Sequence, residues 1–146
     1  MKKFDFKLQK LLDLRNSKEE ESKLNFSKAQ DDKINAEVNL HKLNMNYSKY
    51  GETRKYGNVA QQKITQFYLN SISICITEAN AELKKKKMIL EEKRLDLKQK
   101  QIERKTVDIL KDKQKSKYIK EANDIEQRNN DEFALYGHMR NSAERG

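Results

Sequence analysis

The sequence predicts an all-α fold: an antiparallel two-helix coiled-coil hairpin with a longer, overhanging second helix. Three observations carry this. The 146 residues include no Pro and only four Gly. Pro cannot sit in a helix interior and Gly weakens one, so a chain that excludes the first and confines the second is built for long helix. Apolar residues recur at three- and four-residue steps almost from end to end, the spacing of a coiled-coil seam. The pattern breaks only once, between Gly51 and Gly57.

The first helix is expected from about Phe6 to about Tyr50. Its seam reads Leu8, Leu12, Arg15, Glu19, Ser22, Phe26, Ala29, Lys33, Ala36, Leu40, Leu43, Tyr47 and Tyr50. The polar positions cluster between Arg15 and Lys33, so the seam is weak in the middle and strong at both ends. Residues 51–58 form the turn, with Gly51 as a left-handed cap of the first helix and Asn58 as N-cap of the second. The second helix is expected from about Val59 to about Tyr136, with a frayed tail over 137–146. Leu69, Ile76, Leu83, Leu90 and Leu97 repeat at strict sevens. The register continues through Arg104 and Lys111 to Tyr118 and Ile125. Companion positions are Ile72 and Ala79, then Lys86, Lys93 and Lys100, whose stems cover apolar surface.

Folding near residue 54 places Leu8 opposite Lys100. Beyond that point the second helix has no expected partner except Phe4 and Phe6. About thirty residues, from Arg104 onward, are therefore expected to overhang, and a lone helix is marginal in water unless it docks.

Composition excludes several function classes. Charged residues make up 38% and apolar residues 35%, with a mean hydropathy of −1.11. These values lie near those of disordered chains, from which the sustained period separates this one. No stretch approaches the ~18 apolar residues of a membrane span. Asp5, Lys7 and Lys10 interrupt the stretch after Met1-Lys2-Lys3, which rules out a secretory leader and makes the cytoplasm the expected compartment. Cys75 is the single cysteine, so no intramolecular disulfide forms; its neighbours Ile72, Ile74 and Ile76 suggest a small apolar side chain near the interface. His41 and His138 are isolated. There is no phosphate loop, metal-ligand spacing or acid/base pair, so no catalytic, cofactor-binding or metal-binding residue is assigned. The chain reads as a non-enzyme.

The net charge of +9 is carried entirely by the second helix. Lys84–Lys120 holds fifteen Lys or Arg against six Asp or Glu, and the rest of the chain is balanced. A solvated face, an acidic protein partner and a nucleic acid are all compatible with this excess. The lysines lack interleaved aromatics, which argues against nucleic acid.

Two regions stand out as candidate contacts. Leu43, Tyr47, Tyr50, Phe67, Tyr68 and Ile72 gather large side chains within about 20 Å of the turn. They either close the coiled coil or form an exposed patch. At the other end, Leu110, Tyr118, Ile125 and Phe133 form a loosely helical stripe on the overhang, beside Gln127, Asp131 and Glu132. Lys111, Lys113, Lys115 and Lys117 would supply steering that fades with salt.

Specific residues resemble a known family. Phe4-Asp5-Phe6-Lys7-Leu8-Gln9-Lys10-Leu11-Leu12-Asp13-Leu14-Arg15, followed by Glu19 or Glu20, resembles the opening of the FliJ family. This family forms the small coiled-coil component of the bacterial flagellar export apparatus. Ile64-Thr65-Gln66-Phe67-Tyr68-Leu69 resembles the start of the family's second helix. Tyr118, Glu121, Glu126-Gln127 and Asp131-Glu132-Phe133-Ala134 resemble its closing motif.

The resemblance implies a non-enzymatic stalk and general chaperone, monomeric when free and peripheral to the cytoplasmic face of the membrane at the flagellar base. The stalk would enter the pore of the hexameric flagellar export ATPase through Leu110, Tyr118, Ile125, Gln127, Asp131, Glu132 and Phe133. Near the turn, Leu43, Tyr47, Tyr50, Phe67, Tyr68 and Ile72 would meet the membrane-embedded export-gate protein. Export chaperones are further implied partners, and nucleic acid is not. An injectisome-type export stalk and a basic arm binding nucleic acid are the alternatives.

Overall fold

The computed structural model describes residues 3–145. The basic opening Met1-Lys2 and Gly146, the last residue of the expected tail, lie outside them. Two helices, α1 (Gln9–Thr53) and α2 (Val59–Arg145), pack against each other as a helical hairpin. Residues 137–145, expected as a frayed tail, are helical.

The connection is where sequence and structure part. Gly51 does not terminate α1; it lies inside the helix, which runs on to Thr53. The end is then closed locally. Arg54 N donates to Tyr50 O at 3.1 Å, and the Thr53 hydroxyl donates to the same carbonyl at 2.9 Å. The left-handed residue is Gly57, at φ +94°. The left-handed φ favours Gly there, and a Cβ would also push aside the Gln61 amide that takes part in the cap. Asn58 caps α2 as expected, and does so reciprocally. Its Oδ1 accepts from Gln61 N at 2.8 Å, while Gln61 Oε1 accepts from Asn58 N at 3.2 Å. This is the capping-box arrangement, with Asn and Gln in place of the usual Ser/Thr and Glu.

The chain divides into two compact units. One comprises residues 17–101, and the other joins residues 1–16 to 102–146.

In the 17–101 unit, Ala29 of α1 and Leu69, Ile72 and Ala79 of α2 are buried. Leu69 is the most enclosed, at 2% exposure. Two polar seam residues of α1, Glu19 and Ser22, are buried with them. Ser22 Oγ donates across the interface to Asp96 Oδ2 at 2.8 Å, and Glu19 lies 3.7 Å from Lys23 Nζ. Nearer the turn, Tyr50 meets Tyr68 edge-on at 4.7 Å between ring centroids.

In the other unit, Phe6, Leu12 and Val107 form a cluster against which Phe4 and Leu11 pack. Arg15 Nη1 donates to Glu103 O at 2.8 Å, and Lys111 Nζ to Gln9 Oε1 at 2.7 Å. The Phe4 and Tyr118 rings lie 5.7 Å apart. Among the described residues, no buried side-chain nitrogen or oxygen lacks a hydrogen-bond partner. The polar middle of the α1 seam is therefore tolerated because each polar group there is satisfied.

These contacts correct the expected register. Ser22 faces Asp96, about ten residues beyond the partner expected from a fold at residue 54. Each residue by which a fold point moves shifts the pairing by two. Continuation of α1 through Gly51 to Thr53 moves the reversal in this direction and contributes part of the shift. The paired seam does not stop near Lys100. Within the second unit α2 is paired as well: Val107, which is 4% exposed, packs with Phe6 and Leu12, and Tyr118 with Phe4. Arg104 and Lys111 are half-buried seam positions, and the uncovered part of α2 begins only after Ala122.

Two stability measurements check this account. Leu69→Ala is expected to cost about 2–4 kcal/mol, from lost burial and the cavity left behind. Asn58→Ala is expected to cost about 1 kcal/mol, because α2 loses its N-cap. Both are read as shifts of the urea midpoint with unchanged slope.

Candidate functional site

Three surfaces remain after the seam is covered. The first lies near the turn, in the 17–101 unit. Of the six side chains expected to form one patch there, Ile72 is core, and Leu43 and Tyr50 are half-buried in the seam. Tyr50 is held from two sides, by the edge of Tyr68 and by Lys49 Nζ 5.8 Å from its ring centre. The exposed members are Phe67 at 71%, Tyr68, and Tyr47 at 41%. The structure adds Tyr56, Val59 and Ile64, all well exposed. Their signal in the sequence was three large side chains set among polar residues ahead of Leu69, the first seam residue of α2.

The second surface is the end of α2, in the unit joining residues 1–16 to 102–146. Every residue from 123 to 145 is exposed. At 1.5 Å per residue this is about 35 Å of helix. Ile125, Gln127, Asp131, Glu132 and Phe133 all lie on it, with Phe133 at 74% exposure. Asn129, Glu132, Phe133 and Tyr136 line a shallow groove along one face. Leu135, Tyr136 and Met139 extend the exposed apolar set.

Two residues expected on this end stand apart. Leu110 lies within the paired stretch, on its outer side. Tyr118 is half-buried against Phe4. Of the four expected steering lysines, Lys111 is occupied by Gln9, whereas Lys113, Lys115 and Lys117 are exposed.

The third surface has no counterpart among the sequence expectations. Phe67, Ile74, Ala81, Met88 and Leu95 recur at strict sevens and are all exposed. They occupy the heptad position opposite the seam series of Leu69, which is buried, and Ile76, Leu83, Leu90 and Leu97, which are half-buried, where a coiled coil ordinarily places its most polar residues. Charged residues flank the stripe in alternating blocks: Glu78, then Lys84 and Lys85, then Glu91 and Glu92, then Lys98. Arg94 forks onto Glu91, with Nη2 to Oε1 at 2.5 Å. The hydrogen bond from Arg94, and then its charge, hold the Glu91 carboxyl below the ordinary range. The reciprocal bond raises Arg94.

Cys75 is exposed rather than packed in the interface. Among the described residues, no group of three or more His, Cys, Asp or Glu could hold a metal ion. No helix there is long and apolar enough to cross a membrane.

The arrangement offers contact surfaces along two helices. The opening residues quoted for the family resemblance are those that fasten the start of the chain to α2 through Phe4, Phe6 and Leu12. No curated protein and no solved structure matches the chain. Comparison with known protein families matches residues 4–143 to the family described as "Flagellar FliJ protein". That match spans nearly the whole sequence, and the chain belongs to the flagellar FliJ protein family.

Proposed function

We propose that this flagellar export-related protein is a non-enzymatic stalk and coupling component. The free end of α2 enters the pore of the hexameric export ATPase, and the turn end meets the membrane-embedded export gate. The observation that carries the reading is the uncovered stretch 123–145. It is helical and exposed on every side, yet it keeps Ile125, Phe133, Leu135, Tyr136 and Met139. A lone helix of that length is marginal in water, and large apolar side chains exposed along it are supported only when a partner covers them. A ring of ATPase subunits supplies such a cover on all sides.

Gln127, Asp131 and Glu132 beside the apolar residues keep the contact partly polar. That suits a surface that must release between steps. Lys113, Lys115 and Lys117 lie next to this stretch and would draw it toward carboxylates on the rim of the pore. The protein works in the cytoplasm, peripheral to the membrane at the flagellar base. It also escorts export chaperones, in the service of motility.

Truncation after Ala122 tests the coupling end. The cut leaves Val107, Lys111 and the Phe4–Tyr118 contact in place. Helicity per residue and cooperative unfolding are therefore expected to persist while stimulation of ATP hydrolysis by the hexamer is lost. Full stimulation by the truncated hairpin would move the coupling element to the paired region.

The turn end is tested separately. Tyr47→Ala combined with Phe67→Ala is expected to weaken binding to the export-gate protein by tenfold or more, as for aromatic anchors elsewhere. Stimulation of the ATPase should be unchanged. A parallel loss of both activities and of helicity would identify the two residues as structural.

A further inference from the structure

The outward stripe of α2 between Glu78 and Lys98 is complementary to itself. We propose that it is a self-association surface on which a second copy of this chain docks antiparallel, with the two-fold axis at Met88.

The argument rests on position and charge. Turning the segment about Met88 sets Ala81 opposite Leu95 of the second copy, a small side chain against a large one. Helical position puts Lys84 on the same edge of the interface as Glu91 of the second copy, and Lys85 on the same edge as Glu92. Both charge pairings join opposite signs, and each occurs twice by symmetry.

A parallel copy in the same register would fail this test, because Lys84 and Lys85 would face themselves. An acidic helix from another protein would meet Glu91 and Glu92 in the centre of the face. The charge order therefore favours a second copy over an acidic partner.

The side chains are available. Ala81, Met88 and Leu95 are exposed, as are Glu78, Glu82, Lys84, Lys85, Glu91, Glu92, Arg94 and Lys98. Glu78, Lys84, Lys85, Glu92 and Lys98 make no ion pair or side-chain hydrogen bond within the described residues. Glu91 is held only by a surface pair on its own helix, to Arg94, which exchanges at little cost.

Glu78–Lys98 spans about 30 Å of helix. Contact along one helix is small beside the ~1,200–2,000 Å² of stable interfaces. The pairing is therefore weak, salt-sensitive and concentration-dependent. It leaves the dilute chain monomeric.

Sedimentation equilibrium of the full chain over a wide concentration range tests the proposal. At low ionic strength the weight-average mass should climb toward twice the monomer mass. At about 1 M salt, where the Debye length is about 3 Å, it should fall back. A mass that stays monomeric at every concentration overturns the proposal.

The register is tested by two double variants, Lys84→Glu with Lys85→Glu and Glu91→Lys with Glu92→Lys. Each alone sets like charges opposite each other and should abolish pairing with helicity retained. Mixed in equal amounts, they should pair again, because one face is then all acidic and the other all basic. Pairing that survives in either variant alone, or a mixture that stays monomeric, overturns the register.

A third variant does not depend on charge. Met88→Cys in a Cys75→Ser background should form a disulfide-linked dimer under mild oxidant, and absence of that dimer counts against the two-fold at Met88.

Discussion

One helix can cover only one stripe of another, and this constraint governs the whole molecule. A two-helix hairpin buries a seam a few residues wide and leaves the rest of both helices in water. Burial is accordingly restricted to residues such as Leu12, Ala29, Leu69, Ile72, Ala79 and Val107. Charge dominates elsewhere because it must. The same geometry explains why Glu19 and Ser22 can occupy buried positions. In so thin an interface, a polar group reaches a partner on its own helix or on the facing one, as Glu19 does with Lys23 and Ser22 with Asp96.

A narrow seam makes register decisive. With few buried residues, a slip would exchange Ser22–Asp96 and Arg15–Glu103 for unsatisfied groups, at roughly 1–3 kcal/mol for each one left buried. Register is fixed in the connection, by the left-handed Gly57 and the reciprocal Asn58–Gln61 cap. It is fixed again by the aromatic contact of Phe4 on Tyr118. The opening residues are thus a fastening as much as a family signature. They convert part of what looked like a free end of α2 into a paired helix.

What remains uncovered is where function is sought. The end of α2 past Ala122 and the aromatics near the turn are surfaces that the hairpin itself cannot satisfy. The outward stripe centred on Met88 is a third, and differs in being charged in a self-complementary order. The proposed coupling and self-association would call on different residues, so a defect in one need not affect the other.

Much of this was legible in the sequence. Absence of Pro and sustained three-four spacing specified the two helices, because backbone propensity and seam periodicity are local properties. Most of the α1 seam and its companion on α2 were identified for the same reason, although Leu8 and Tyr47, expected in the seam, are exposed. Register was not, since Gly51 and Gly57 look equally able to end a helix, and only the folded backbone puts the left-handed conformation at the second. The extent of the uncovered end followed from that choice and was misplaced with it. The two seven-residue series on α2 show the division most clearly. Both are written in the sequence, at Leu69–Leu97 and at Phe67–Leu95. Periodicity says that each lies on one face of a helix. Which face is buried depends on where α1 lies, because a single partner can cover only one of them, and only the tertiary structure decides that.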